Sequence, residues 1–574
     1  MVPTRLAPIL ILLAAFASPV AAQSSPARAR PEIIRTAHGV PHIYARDHWA
    51  AGYGLAWVQL EDYGLRVIRG LVAARGQLGR IYGRDSIESD FLRLPIHELA
   101  RERWFLLRPE TRAMYEGFAA AVNDFLRAEG GRVEPAIAPD FVGWDVLARE
   151  ISFTSPAAAR RLIRSKLGAA AAPAARSRGD IEGPDDGSNA WALAPSRTRS
   201  GRAILLRNPH LDWNAGYYEA QLVIDEVLDF YGDFRIGSAF AVVGGFNRWL
   251  GWATTNNAVD NDEVYSVELA PGLVDHIVLD GRPAPLTKRT VTVEYRNGAA
   301  FTTETRETWS SPLGPVIERL DGKAYILKAA GDGEHRGGEQ FLAMMTARSY
   351  AEWRAALALR ARATSNLTYA DRAGNVFYVW NGALPSLPHP PGGDSTIFAV
   401  TRSSEVWSSL VPLDSLPQVM NPPGGYVHNE NSSPHFTSLE APLDPARLPP
   451  NVEAPSFSLR SQLGVELIRG KKKLSLEDVV SLKHSYRMLL AERVKPALLE
   501  AARRASSERL RAAVEVLERW DDTATPDSRG AVLFELWWRL YTRRGGEPFA
   551  EPWSFDRPTT TPRGLADLDA AVSA

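Results

Sequence analysis

Ser188 and His210 bracket a stretch that reads as a β-hairpin. Ala190, Ala192 and Ala194 alternate with Trp191 and Leu193, the polar run SRTRSG supplies a turn, and the apolar AILL follows. With the turn centred near Arg199, paired residue numbers sum to about 398, which sets Ser188 opposite His210. A hydroxyl facing an imidazole is an arrangement that activates a weak oxygen nucleophile. A slip of one residue would carry every side chain to the other face, so this chemistry hangs on the register. Taken singly, both residues read more simply. DDGSN has the composition of a surface turn, and His210 after Pro209 that of a loop histidine.

The residues Ser188-Asn189, Trp191, Asn208-Pro209-His210-Leu211 and Trp213 together resemble the start of the β-chain in the penicillin acylase family of N-terminal nucleophile (Ntn) hydrolases. Gly39-Val40-Pro41-His42-Ile43 and Gln59-Leu60-Glu61-Asp62 are similar to the opening of the family's α-chain. The resemblance implies an α+β fold, a four-layer αββα sandwich with additional helical and β segments. It also implies that the Gly187–Ser188 bond cuts itself and frees Ser188 as nucleophile. The new amine then acts as base, directly or through a water, and His210 orients the serine or its amine. The oxyanion donors it implies are the backbone N–H at Asn257 or Asn256 and the side chain of Asn366, which precedes Tyr369-Ala370-Asp371. Leu211, Tyr217 and Tyr218 follow His210 closely enough to be expected in an acyl pocket. His210, where penicillin G acylases carry glutamine, leans the likeness toward acylases of N-acyl-homoserine lactones, cyclic lipopeptides and cephalosporins. Ser386-Leu387-Pro388-His389 lacks the arginine that penicillin G acylases carry there. Residues 416–434 match as well, with Glu430 between two asparagines as a departure.

No cofactor is required by this reading. Asp260, Asp262 and Glu263 offer oxygen ligands suited to a hard cation, and some family members bind calcium in this region. The Glu61-Asp62 pair reads as an exposed helix face, since most charged side chains are solvated.

Composition narrows the classes. The chain has 574 residues, 45% of them hydrophobic, enough for a large core. Its 66 basic and 67 acidic residues leave no electrostatic footprint for nucleic acid. With no cysteine, disulfides, thiol catalysis and Cys-ligated zinc are excluded together. The first residues, MVPTRLAPILILLAAFASPVAAQSS, read as a secretory signal cut after Ala22. Its apolar core is too short for a membrane span, and no later stretch is long enough. A soluble protein of the periplasm or exterior is expected.

The chain then divides into a leader (1–22), an α-chain-like segment (23–167), a spacer (168–187) and a β-chain-like segment (188–574). Excision of the spacer would leave an α/β heterodimer acting on a small N-acyl amide. Helical spacing marks residues 50–83, 108–129 and 146–167, and strands are expected at 222–231, 239–243 and through Trp252. A meander over 291–327 carries Asn-Gly and Asp-Gly turns, and a capping box opens the tail helix at Ser475. The spacer is rich in Ala, Gly and charge and cannot bury enough surface to fold. The chain stops in mid-helix where family members continue. Two other readings stay open: a secreted glycoside hydrolase stacking sugars on its 16 tryptophans, and a processing-dead homologue that only binds. Amino-terminal sequencing of exported protein should find a start at Gln23; a start at Met1 would end the export reading.

Overall fold

The computed structural model describes residues 29–133, 137–167, 187–211, 214, 216–470, 473–505 and 508–574. The leader with its Ala22 site, the spacer over 168–186 and Trp213 lie outside the described residues.

The chain opens with β1 (Glu32–Arg35) and β2 (Pro41–Ala45), joined by the expected turn, in which Gly39 takes φ +82°. Six helices follow: α1 (His48–Ala74), α2 (Leu78–Tyr82), α3 (Ile87–Arg103), α4 (Pro109–Val133), α5 (Gly143–Glu150) and α6 (Ala157–Lys166). Asp47 caps α1 by accepting the Ala50 N–H at 2.8 Å. The single helix expected to run to Gly83 is interrupted beyond Ala74, where Gly76 turns left-handed at φ +65°. The helix expected over 146–167 is also divided. Pro156 disfavours helical backbone at the residue before it, and α5 ends at Glu150.

Next come β3 (Gly187–Leu193), β4 (Ile204–His210), β5 (Tyr217–Ile224), β6 (Leu228–Arg235), β7 (Gly244–Phe246) and β8 (Leu250–Thr255). What read as one strand over 222–231 is therefore a hairpin, turning at Glu226 with φ +59°. Residues 239–243 are buried coil rather than strand, because the Ser238 hydroxyl takes the Phe240 N–H at 3.3 Å. The meander is β9 (Asp262–Glu268), β10 (His276–Leu279), β11 (Arg282–Pro285), β12 (Thr287–Asn297), β13 (Ala300–Ser311), β14 (Gly314–Leu320) and β15 (Lys323–Ala329). Helices α7 (Gly337–Thr346) and α8 (Tyr350–Leu357) lead to β16 (Thr364–Asp371), β17 (Val376–Gly382), β18 (Ile397–Ala399), β19 (Gln418–Met420) and β20 (Tyr426–Asn429). The chain closes with α9 (Leu459–Arg469), α10 (Leu476–Lys483), α11 (Leu489–Arg504), α12 (Glu508–Arg519), α13 (Arg529–Thr542) and α14 (Leu568–Ser573). The expected capping box at Ser475 and Asp478 is present.

Among the described residues the strands pair into a nine-stranded sheet β1-β2-β5-β6-β7-β8-β16-β17-β19, a six-stranded sheet β12-β13-β14-β15-β9-β18, a three-stranded sheet β20-β3-β4, and the pair β10-β11. One face of the nine-stranded sheet packs Phe230, Trp252, Tyr369 and Phe377 against α1, α4, α5, α7 and α8. The three-stranded sheet lies on its other face, and the reason is written in β3. Successive side chains point to opposite sides. Small Ala190 and Ala192 allow close approach of the sheets, while Trp191 and Leu193 join Val465, Ile468 and Val479 of α9 and α10 in a separate core. The order helix, sheet, sheet, helix follows, giving the expected α+β sandwich. The six-stranded sheet and α11–α14 add cores of their own. No helix among the described residues is long and apolar enough to cross a membrane.

One buried carboxylate ties the first helical layer together. Asp145, 1% exposed, accepts from Arg75 at 2.6 Å, from His97 at 2.7 Å and from the Val142 N–H at 2.8 Å. Burial opposes its charge, but His97 and Arg75 outweigh that and hold it below the ordinary aspartate value. Removing one partner of a buried pair strands the other charge, so Asp145→Ala should cost about 3–5 kcal/mol. Urea denaturation checks this; a loss under about 1 kcal/mol would place the layer's cohesion elsewhere.

Candidate active site

The hairpin register sums to one less than the sequence suggested. Gly187 pairs with His210, and Ser188 pairs with Pro209. Paired residues share a face, so the Ser188 side chain turns toward the space between the sheets while His210 lies on the outer face beside Gly187. A Cβ built on Gly187 would stand 2.7 Å from His210 Cε1 and 3.0 Å from Arg460 Nη2, closer than atoms pack. His210 is thus the neighbour of the bond preceding Ser188 rather than of the serine hydroxyl across the strand pair. The shift arises in the loop between β3 and β4, where the short 3₁₀ turn Pro195–Arg197 centres the hairpin between two residues rather than on one.

Two residues that the sequence reading did not single out grip Ser188. Asn431 Oδ1 accepts the Ser188 N–H at 2.7 Å. Arg460, on the first turn of α9, donates Nη1 to the Ser188 carbonyl at 2.9 Å, to Asn189 Oδ1 at 3.0 Å and to His210 Nε2 at 3.1 Å. Its Nη2 donates to Asn431 Oδ1 at 2.9 Å. A guanidinium only donates, so His210 Nε2 is an acceptor here and a neutral ring carries its proton on Nδ1. Asn431 sits at φ +65°, a conformation costing a non-glycine residue about 1 kcal/mol or more and typical of functional sites. The signals for both were faint but physical. Asn431 follows the Pro-Pro-Gly-Gly turn, and Arg460 is a cation in the first helical turn, where the helix dipole disfavours it.

An amide network stands behind them. Asn256 O accepts Nδ2 hydrogens from Asn431 at 2.9 Å and Asn366 at 3.1 Å. Asn366 spends its second hydrogen on Asn429 Oδ1 at 3.1 Å, and its own oxygen accepts from Tyr378 at 2.6 Å. Asn366 is fully buried within this network, at the end of β16 nearest Asn256. Fixing the Asn256 carbonyl also turns the Asn257 N–H to the opposite side of the same planar peptide, while the Asn257 side chain donates to Asn381 O at 2.9 Å. Glu430, odd in the sequence, accepts from Trp191 Nε1 at 2.7 Å and meets His428 Nδ1 at 2.8 Å, bracing the turn against β3.

The other expected positions divide. Tyr217 and Tyr218 are neighbours on a strand and face opposite ways. Tyr217 lies under Arg235 at 4.9 Å, but Tyr218 is buried in the helical core with its hydroxyl donated to Asp62 at 2.6 Å. Burial and Asp62 raise its pKa strongly. Leu211 is half-buried just beyond β4. Glu61 and Asp62 are exposed as expected, and both pair with Arg35. Gln59 is buried and secures the loop after β6 through the Gly237 N–H at 2.6 Å. Asp260 and Asp262 edge a groove with Glu453, and Glu263 is buried in β9. No group of three or more His, Asp or Glu side chains that could hold a metal ion occurs among the described residues. An open groove of about 870 Å³ runs along β4 past Leu206, Arg207, Phe246 and Trp249; neither Ser188 nor His210 lines it.

Known proteins share this sequence pattern. The penicillin amidase family model matches residues 31–573. The acyl-homoserine lactone acylase PvdQ of Pseudomonas putida is 26% identical over 633 residues, covering 100% of this chain and 80% of its own length. The aculeacin-A acylase of Actinoplanes utahensis is 27% identical over 635 residues, covering 96% and 79%. A thermostable penicillin G acylase from Alcaligenes faecalis superposes with a TM-score of 0.48 at 22% identity, over 64% of this chain and 68% of that one.

The fork of Arg460 spans acceptors on three segments, which a lysine point charge does not. Arg460→Lys should lower unfolding free energy by about 1–3 kcal/mol through stranded acceptors. Unchanged stability in urea would reduce the clamp to a surface contact.

Proposed function

Belonging to the penicillin amidase family, the chain is an amide-bond hydrolase, and we propose that Ser188 becomes its amino-terminal nucleophile by self-cleavage. The observation carrying this reading is the grip on one residue: Ser188 N on Asn431, Ser188 O on Arg460, and His210 against Gly187. Holding Ser188 through both its N–H and its carbonyl restricts the freedom of its hydroxyl beside the bond that precedes it, which favours attack on that bond.

In the first reaction Ser188 Oγ adds to the Gly187 carbonyl and the C–N bond breaks. Gly187 passes to an ester on Oγ while the nitrogen takes the proton, and water then hydrolyses the ester. The freed α-amine has a reference pKa of about 7.7–8.0, close to working pH. In the second reaction it accepts the Ser188 Oγ proton, directly or through a water, as Oγ adds to a substrate amide. The proposed oxyanion donors are the side chain of Asn366 and the backbone N–H at Asn257 or Asn256, each typically worth about 3 kcal/mol. Asn431 helps to hold the Asn256 peptide beside Asn366. His210, beside Arg460 and Gly187, orients the amine. The leaving amine departs, and water releases the acid from the acyl-enzyme.

The proposed substrate is an N-acylated small molecule with an apolar acyl chain, in the class of acyl-homoserine lactones and lipopeptides named for the relatives. The proposed setting is outside the cytoplasm, as an α/β heterodimer. Ser188→Ala removes the nucleophile from both reactions, so the chain should persist undivided and turn over no acyl amide. Ser188→Cys supplies a better nucleophile but a larger atom; it should still divide while hydrolysing amides poorly. Denaturing electrophoresis with amino-terminal sequencing, beside an acyl-amide assay, reads both. A Ser188→Ala chain that divides before residue 188, or that hydrolyses amides, would end the reading.

A further inference from the structure

Away from Ser188, a cavity of about 440 Å³ opens between α1, α2, α3 and α5. Three guanidinium groups line it, from Arg69, Arg93 and Arg149, with the hydroxyl-bearing Tyr82 and Ser86 beside them and no carboxylate among the described residues of its wall. The exposed mouth is formed by Arg69, which donates to the Tyr82 hydroxyl and lies 4.8 Å over that ring. Arg93 lies 4.4 Å over Phe153. Arg149 reaches inward and donates Nη2 to the Ile236 carbonyl at 2.6 Å.

The backbone around Arg149 is shaped to admit it. A Cβ on Gly70 would fall on Arg149 Nη1, and one on Gly237 would stand 2.6 Å from its Nε. The adjacent carboxylate, Glu150, is committed elsewhere, accepting from Tyr115 at 2.6 Å, Ser238 at 2.7 Å and the Ala239 N–H at 3.3 Å. Neither Arg69 nor Arg149 has an ion-pair partner among the described residues. Burial first, then Arg93, Arg66 and Arg235 working against the single charge of Glu150, brings Arg149 down to about 10 from the usual arginine value. Like charges gathered round a hollow repel, and the total charge of −1 does nothing locally to offset them. An anion between them removes that repulsion and satisfies the guanidinium forks, whose geometry matches oxyanions.

We propose that this cavity binds a small oxyanion of the phosphate class, with Arg149 at its floor and Arg93 and Arg69 at its sides. A divalent tetrahedral anion suits it best, since it meets three cations arranged about a hollow rather than in a plane. The test is a calorimetric titration of the whole protein with inorganic phosphate, at constant ionic strength held with chloride. Wild type should bind saturably, and Arg149→Met and Arg69→Met should each weaken binding by at least ~10-fold. Methionine keeps the apolar stem and removes only the charge. Should Arg149→Met fail to fold, Arg69→Met at the exposed mouth decides alone. No saturable binding in wild type, equal affinity in Arg69→Met, or an equal response to added chloride alone would each overturn the proposal.

Discussion

The geometry of the site depends on the fork of hydrogen bonds that Arg460 and Asn431 throw around the backbone of Ser188. Four segments meet there: β3, β4, the turn after β20 and the start of α9. Each brings a group that would be costly to bury alone. The arginine brings a cation at the unfavourable end of a helix dipole, and Asn431 brings a left-handed backbone. Asn189 and the Ser188 carbonyl bring acceptors in a crowded place. Together they satisfy one another, so the arrangement is over-determined, which is the condition under which strained residues persist.

That fork works only because β3 lies flush between two layers. Its alternation of alanine and large apolar side chains lets the three-stranded sheet approach the nine-stranded one while anchoring outward in the core of α9 and α10. The same principle acts within the nine-stranded sheet. Gly245 faces Gly232, and a Cβ on Gly245 would fall on the Tyr231 carbonyl. Small residues therefore set the spacing, and the tryptophans and phenylalanines fill what remains. Dense packing transmits position, so a fault in either sheet would be felt at the peptide unit held between them.

Local rules made much of this legible. The hairpin, the meander with its Asn-Gly and Asp-Gly turns, the helix following Asp47 and the capping box at Ser475 were all readable, because propensity and periodicity act over a few residues. The misread places are those decided by longer-range terms. The β3–β4 register turned on a ten-residue loop whose 3₁₀ turn carries no strong sequence mark. Tyr217 and Tyr218 share one expectation by proximity to His210, yet strand alternation turns them to opposite faces, Tyr218 toward Asp62. Arg460 lies 272 positions from the carbonyl it holds, and no local pattern spans that distance.

Pro209 has a consequence of a different kind. It sits in β4, which has no strand partner on its outer side among the described residues. An open edge bearing Leu205 and Leu206 is a template on which other chains can add strands. Proline has no N–H to offer such a strand, and it is tolerated within sheets chiefly at an edge. The residue that lies across from Ser188 thus also interrupts the ladder that would seed intermolecular sheet growth, so the hairpin that carries the chemistry also helps keep the protein colloidally stable when it is concentrated.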